Sequence, residues 1–339
     1  MNVLWISGDR TFPYAQGQAR IQQTRCVMRL LLGGCFTLLG VVAFSSAQPA
    51  ETPAPKAVLV TGASTGIGRK ITERLAADGY FVYATARKPE DLKALGALKN
   101  VQALPLDVTH PEDIAAVVTT ITKAGRGLYG LVNNAGIATV GAIADMKLEE
   151  YELVMNVNAA GPIRMIKALE PLIIEQKGRI INIGSISGIL ASPSLAAYSM
   201  SKHAVEALTD SLAGQVDSVG VRVSVVEPGN YDSEIGKSAL ARMGADSAAA
   251  RATGFAANAD RSKYKQPDEV AAAVEQALSE PEPKRRYMVV PNQEEAERTI
   301  RKQIEQLVQL NEGQPYTYDR TALVKMLDEA LVKARPQAH

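Results

Sequence analysis

Ala57-Val58-Leu59-Val60-Thr61-Gly62-Ala63-Ser64-Thr65-Gly66-Ile67-Gly68 is the stretch that decides the fold. Four apolar residues read as a buried strand. A glycine-punctuated turn follows, and Arg69 to Asp78 then carries a helical pattern. Strand, glycine turn and helix in that order form a cradle for a dinucleotide. The glycines let the backbone approach a pyrophosphate, whose charge sits at the helix N-terminus. A lone glycine pattern could equally be a tight turn with packing glycines. The apolar run directly before it argues for the cradle.

Outward from this unit, strands and helices alternate, which implies an α/β fold with a doubly wound parallel sheet. Strands are expected at Phe81 to Thr85, Val101 to Leu106, Leu131 to Asn133, Arg179 to Ile183, Val221 to Val226 and Tyr287 to Val290. Helices are expected at Pro111 to Lys123, over the long stretch Leu148 to Ile174, at Tyr198 to Val219 and near Pro267 to Ser279. In such sheets ligands bind outside the carboxyl ends of the strands.

The second informative stretch is Tyr198-Ser199-Met200-Ser201-Lys202. On a helix, a spacing of four puts the phenol and the ammonium on one face. A phenol must lose its proton to act as a base, and its free pKa is about 10. A lysine charge about 4 Å away, at an effective dielectric near 20, contributes roughly 4 kcal/mol. That is about three pKa units, enough to bring the phenol toward neutrality.

With these motifs the chain resembles the short-chain dehydrogenase/reductase family, from about Lys56 to Pro291. The family's TGxxxGIG pattern is met at Thr61 to Gly68, with Gly62, Ser64, Gly66, Ile67 and Gly68 at the cofactor. Its NNAG motif stands at Asn133-Asn134-Ala135-Gly136, and its Pro-Gly after the sixth strand is Pro228-Gly229. Its catalytic residues fall on Asn158, Ser185, Tyr198 and Lys202. The resemblance implies a single Rossmann domain and reversible hydride transfer between a nicotinamide and an alcohol or ketone. Tyr198 would exchange the hydroxyl proton, Lys202 would lower its pKa and hold the nicotinamide ribose, and Ser185 would hydrogen-bond the substrate oxygen. Asn158 would hold a water linking Lys202 to solvent. All four positions are filled, which argues against a non-catalytic nucleotide-binding sensor or scaffold. A ketoacyl-thioester reductase is the other alternative.

Cofactor choice follows from the end of the second strand. Relatives that use NAD carry an acid there to hold the ribose hydroxyls. Here Thr85-Ala86-Arg87 has none, and Arg87 offers a planar fork for a 2′-phosphate. Ser64 matches a phosphate-contacting position of NADP-using relatives, whereas Thr65 departs from the base many of them carry. NADP is therefore expected over NAD. Asp107 and Val108 resemble the pair that flanks the adenine.

The remaining composition is mostly exclusion. A net charge of +1 gives no field that points to nucleic acid. Lys284-Arg285-Arg286 is the basic cluster of note and reads as a solvated turn before a strand. His110, His203 and His339 show no metal-ligand spacing, so no metal is expected. Both cysteines, Cys26 and Cys35, lie in residues 1–47. That leader carries an apolar run from Leu30 to Phe44 behind Arg20, Arg25 and Arg29. Ser45-Ser46-Ala47 suits cleavage after Ala47. It reads as a signal peptide starting at Met28 or as a retained anchor, so membrane association is open and the location is exported, anchored or, if the leader does not function, cytoplasmic. The run is short of the roughly 20 residues a span needs. Residues 48–55 form a Pro/Ala linker, residues 56–291 the Rossmann domain and residues 292–339 a helical extension.

The stretch Asn230 to Lys265 sits where the family places its substrate lid, and Tyr231, Met243, Phe255 and Tyr264 are candidates to line an apolar pocket. In the extension, Ile300, Ile304, Leu307 and Val308 form one apolar stripe and Leu323, Leu327 and Leu331 another. They are expected to cover the substrate side or a subunit interface, in a homo-oligomer. The extension also favours a reductase of the hydroxysteroid or retinol dehydrogenase kind, with a small, lipophilic alcohol or ketone as substrate.

Overall fold

In chain order the elements are β1 (Ala57–Val60), α1 (Gly66–Ala77), β2 (Phe81–Ala86), α2 (Pro89–Gly96), β3 (Val101–Pro105), α3 (Pro111–Ala124) and β4 (Gly130–Asn133). There follow α4 (Leu148–Met155), α5 (Gly161–Glu175), β5 (Arg179–Ile183), α6 (Ala196–Val216), β6 (Arg222–Pro228) and α7 (Ile235–Met243). The described chain closes with α8 (Asp268–Ser279), β7 (Arg286–Val289), α9 (Gln293–Asn311) and α10 (Arg320–Ala334). These come from a computed structural model, which describes residues 54–243 and 259–334. The leader with both cysteines, the cleavage position, Phe255 and the Met243 side chain lie outside the described residues.

The seven strands are all parallel, in the order β3-β2-β1-β4-β5-β6-β7. Alternation along each strand divides its side chains between two apolar layers. Val58, Val60, Val82, Ala84, Val132 and Ile181 face α1 and α8, where they meet Ile71, Leu75, Val270 and Val274. Leu59, Tyr83, Leu131, Ile180 and Val223 face the other way, against Ile121, Met165, Leu169 and Leu212 of α3, α5 and α6. Covered on both faces, the strands need the near-continuous apolar runs that the sequence supplies. The strand order reverses between β1 and β4, which opens a crevice at their carboxyl ends.

Two departures from the sequence reading shape the site. Helix α1 starts at Gly66 rather than Arg69, so the last two glycines form its first turn. Gly68 is required there by close approach: a Cβ would lie 2.3 Å from the Gly62 carbonyl oxygen. The expected helix from Leu148 to Ile174 is interrupted by a π turn at Asn156–Ala160, a device often found at functional sites. It inserts one residue's worth of slack and turns Asn158 into the interior, where it is 2% exposed.

The C-terminal stripes do not cover the sheet. Ile300, Ile304 and Leu307 of α9 are 51%, 55% and 51% exposed, and Leu327 and Leu331 of α10 are similarly open. What ties α9 to the domain is polar. The buried Glu295 carboxylate accepts hydrogen bonds from the Asn230 backbone N–H and side-chain amide, both at 2.9 Å. Among the described residues no helix is long and apolar enough to cross a membrane.

Leu169 is fully buried in the α5 layer, so Leu169→Ala should cost about 2–5 kcal/mol. Leu307→Ala on the open stripe should stay within about 0.5 kcal/mol. Urea unfolding midpoints of the two variants check this, and equal effects would contradict the assignment of the stripe to the surface.

Candidate active site

The β1–α1 turn is fixed first, by one threonine. Thr61 Oγ1 donates to the Val132 carbonyl and accepts from the backbone N–H groups of Asn134 and Ala135 at 2.9 and 3.0 Å. The Asn134 side-chain amide then donates to the carbonyls of Thr61 and Gly62, each at 2.9 Å. The turns after β1 and β4 are thereby locked together at the point where the sheet reverses. Gly62 takes a φ of +63° and Gly66 a φ of +52°, and a Cβ on Gly62 would lie 2.9 Å from the Ala135 Cα. Only glycine satisfies both conditions at Gly62. Thr65 stands at the helix cap with no side-chain cap bond, so the first N–H groups of α1 are directed at a ligand.

The turn opens into a cavity of about 720 Å³ along the carboxyl ends of the strands. Gly62, Ser64, Gly66, Ile67, Gly68, Arg87, Asp107, Val108, Asn134, Ala135, Gly136, Ser185, Tyr198, Lys202, Pro228 and Gly229 all line it. The size and the glycine cradle fit a nicotinamide dinucleotide. At one end, Arg87 follows β2 with Nη1 3.5 Å from Asp107 Oδ2. Asp107 accepts from the Thr109 N–H and hydroxyl. Those bonds and Arg87 hold its carboxyl below the usual range, although burial opposes them as the largest single influence.

At the other end stand Ser185, delivered by β5, and Tyr198 and Lys202, one turn apart on α6. Ser185 stands close enough to the Tyr198 phenol to act on its titration; its Oγ donates to the Pro228 carbonyl at 3.5 Å and accepts from the Ser187 N–H at 3.1 Å. Burial raises the Tyr198 pKa; Ser185 and the charge of Arg261 pull against it. The expected depression by Lys202 is not what this geometry gives. Lys202 Nζ lies 5.6 Å from the Tyr198 ring centroid and donates to the Ile183 carbonyl at 2.8 Å. Burial lowers its own pKa to about 8, against a raising influence from Glu206.

Of the expected catalytic and cofactor-binding residues, Asn158 is the one that is not on the cavity wall. Its Oδ1 accepts from the Ile137 N–H at 2.9 Å, and its amide hydrogens go to the Ile137 carbonyl and Ser201 Oγ. Ser201 in turn donates to the Tyr198 carbonyl at 2.7 Å. Both side-chain amide hydrogens are thus taken by the protein, and through Ser201 the Asn158 side chain fixes the first turn of α6. Of the lid candidates, Tyr231 lines the cavity but is 1% exposed, its hydroxyl 2.6 Å from Glu269 Oε2. Tyr264 is 40% exposed and not on the wall.

Sequence reasoning missed a charged cluster behind Lys202. Glu206, one turn further along α6, lies against Glu227 of β6; Arg286 reaches both, with Nε 3.3 Å from Glu206 Oε2 and 3.8 Å from Glu227 Oε1. Arg286 Nη2 also pairs with Asp210 Oδ2 at 2.6 Å. Arg286, read with Lys284 and Arg285 as a solvated turn, is the first residue of β7 and, though exposed, is ion-paired to this cluster. The signal was there: Tyr198, Lys202, Glu206 and Asp210 recur every four residues on one helix face. Burial, then the Glu227 charge, push the Glu206 pKa up to about 8, and burial raises Glu227 as well. Neither Glu206 oxygen has a hydrogen-bond donor in the protein to hold it ionised, and a like charge from Glu227 disfavours the carboxylate, so the pair keeps a proton.

The sign of the pH effect follows. Folded Glu206 holds its proton from the ordinary 4.5 up to about 8, a range where an unfolded carboxyl has lost it. The folded state therefore binds the extra proton, and this contribution to stability falls as pH rises through that window. Glu206→Gln keeps the shape without the titration. Its urea midpoint relative to wild type should be higher at about pH 8 than at about pH 5. The same difference at both pH values would refute the shared proton.

With the geometry in hand, comparison with known proteins is specific. The short chain dehydrogenase family profile matches residues 56–244. The mitochondrial D-beta-hydroxybutyrate dehydrogenase of Mus musculus is 35% identical over 195 residues, covering 55% of this chain and 57% of that protein. Retinol dehydrogenase 5 of Homo sapiens is 38% identical over 209 residues, 60% of this chain and 64% of the relative. The chain thus spans little more than half the length of the mouse relative. A crystal structure of a short-chain dehydrogenase from Streptomyces avermitilis matches with a TM-score of 0.64 at 28% identity, over 84% of this chain and 100% of that one. The profile covers more than half of the sequence, and the chain belongs to the short-chain dehydrogenase family.

Proposed function

We propose that the protein is an NADP(H)-dependent oxidoreductase that interconverts an alcohol and a ketone or aldehyde on a lipophilic substrate. The observation that carries the reaction is the grouping of Ser185, Tyr198 and Lys202 on the wall of one cavity, beside the glycine cradle. A bound nicotinamide supplies or takes the hydride. The protein handles the proton and the charge on oxygen. In reduction, Tyr198 gives its phenolic proton to the oxygen of the carbonyl, and Ser185 donates a hydrogen bond to the same atom as charge develops there. The raised pKa of Tyr198 keeps that proton in place at neutral pH, which suits the donor. Lys202, on the same cavity wall, is placed to hold the nicotinamide ribose. Oxidation runs the same steps backward.

Ile137, Ile186, Leu190, Leu195 and Ile235 line the cavity, which supports an apolar substrate body. Arg87, with Ala86 where an acid would hold free ribose hydroxyls, supports NADP. The apolar leader belongs to the same reading: it would carry the domain to a membrane or across it.

Tyr198→Phe keeps the ring and removes the proton. It should reduce kcat by roughly 10²–10⁴-fold while NADPH still binds. Steady-state turnover with a panel of ketones, together with cofactor binding followed by fluorescence, measures both. Near-normal turnover of the variant would remove Tyr198 as the proton donor, no turnover by wild type would return the chain to a nucleotide-binding sensor, and activity confined to acyl thioesters would favour the ketoacyl-thioester reading.

The cofactor assignment has its own test. The Arg87 side chain is 69% exposed, so its pair with a 2′-phosphate is worth the low end of the charge-assisted range, about tenfold in affinity. Arg87→Ala should weaken NADP by that factor and leave NAD nearly unchanged. Ala86→Asp should set a carboxylate against the phosphate and move preference toward NAD. The measurement is kcat/KM for both cofactors. A wild type that already prefers NADH, or an Arg87→Ala variant that loses both equally, would overturn the assignment.

A further inference from the structure

Three cations stand at the Ser185–Tyr198 end of the cavity and are not used by the mechanism above: Arg261, and Arg298 and Lys302 of α9. Their place is set by a second groove, in which Arg298 and Lys302 line up with Leu190, on the loop that follows Ser185. The cofactor's phosphates belong elsewhere, along the glycine turn and toward Arg87. Arg261 lies close enough to Tyr198 for its charge to act on the phenol.

These cations are poorly paired. Arg261 Nε is buried and has no hydrogen-bond acceptor. Among the described residues neither Arg261 nor Arg298 has an ion pair, whereas the neighbouring Arg301 is paired with Glu297 at 2.6 Å. Lys302 lies 4.0 Å from Glu305. Of the nearby acids, Glu295 is held by Asn230, which leaves Glu294 of the outer groove as the unengaged opposite charge. A guanidinium N–H withdrawn from water without an acceptor is costly, and native sites rarely keep one without a use.

We propose that Arg261, with Arg298 at the mouth, binds a carboxylate carried by the substrate. The alcohol or ketone is then an acid with an apolar body, anchored at its charged end while the carbonyl lies between Ser185 and Tyr198. The planar fork of arginine matches a carboxylate with two parallel hydrogen bonds; the guanidinium has the Tyr264 ring 5.9 Å away, and a neutral substrate would leave its buried Nε without an acceptor. This rests on the oxidoreductase reading and narrows it to a substrate class.

The test compares, on the full chain with NADPH, a medium-chain oxo acid, its methyl ester, the ketone of equal length and the coenzyme A thioester of the acid. The acid should exceed the ester in kcat/KM by about tenfold or more, mainly through KM. Arg261→Gln should remove most of that ratio, Arg298→Gln part of it, and Arg261→Lys should keep some of it; a thermal melt of each variant checks folding, and the acid-to-ester ratio within one variant is independent of how much protein is active. Equal use of acid and ester by wild type, or an Arg261→Gln variant that keeps the ratio, overturns the proposal while leaving the oxidoreductase reading intact. A preference for the thioester also overturns it, assigning the cations to the phosphates of a carrier. Absence of turnover with every compound would defeat the oxidoreductase reading itself, and this proposal with it.

Discussion

The Thr61 hydroxyl is the constraint on which the site depends. It serves three backbone groups of the β4 turn, and Asn134 returns two bonds to the β1 turn. All five lie where the sheet reverses its strand order, the place where two neighbouring crossovers leave in opposite directions. Without them, two glycine-rich turns would meet with unpaired backbone groups. With them, the cradle is held open and rigid before any ligand arrives, so its N–H groups need no rearrangement to meet a phosphate.

Below the cradle, polar groups continue through the core in a connected chain. Asn133 donates to Asn182, Asn182 to Thr209, and Thr209 to the Val205 carbonyl. This ladder joins β4, β5 and α6. Asn158 and Ser201 fix the first turn of the same helix, and Arg286 gathers Glu206, Glu227 and Asp210 behind it. Helix α6 is thus positioned by hydrogen bonds and charge as well as by apolar packing. Directional bonds fix the rotation of a helix about its axis more sharply than packing does, and rotation decides where the Tyr198 hydroxyl points.

The C-terminal extension reaches the site by the same means. Gly229 lets Glu295 approach closely: a Cβ there would lie 2.2 Å from Glu295 Oε2. Glu295 then holds Asn230, and Asn292 caps α9 by accepting from the Glu295 N–H at 2.9 Å. The start of α9 is pinned beside the loop that leads to α7, and the cations one and two turns along it are carried to the cavity mouth.

The sequence by itself determined the periodic part. Apolar runs of strand length, glycines at 62, 66 and 68, and the Tyr198–Lys202 spacing specify the sheet, the cradle and the catalytic face, because each depends on neighbours within a few residues. Tertiary structure decided what depends on contacts between distant segments. It withdrew Asn158 from the cavity through a π turn, and it set burial against charge so that the Tyr198 pKa is raised and not lowered. It also brought Arg286 from a strand end to Glu206, and set Arg298 at the cavity mouth while leaving Ile300 and Ile304 in the open. Periodicity marks which residues share a helix face, but only packing against other elements decides which face is buried and what it meets there.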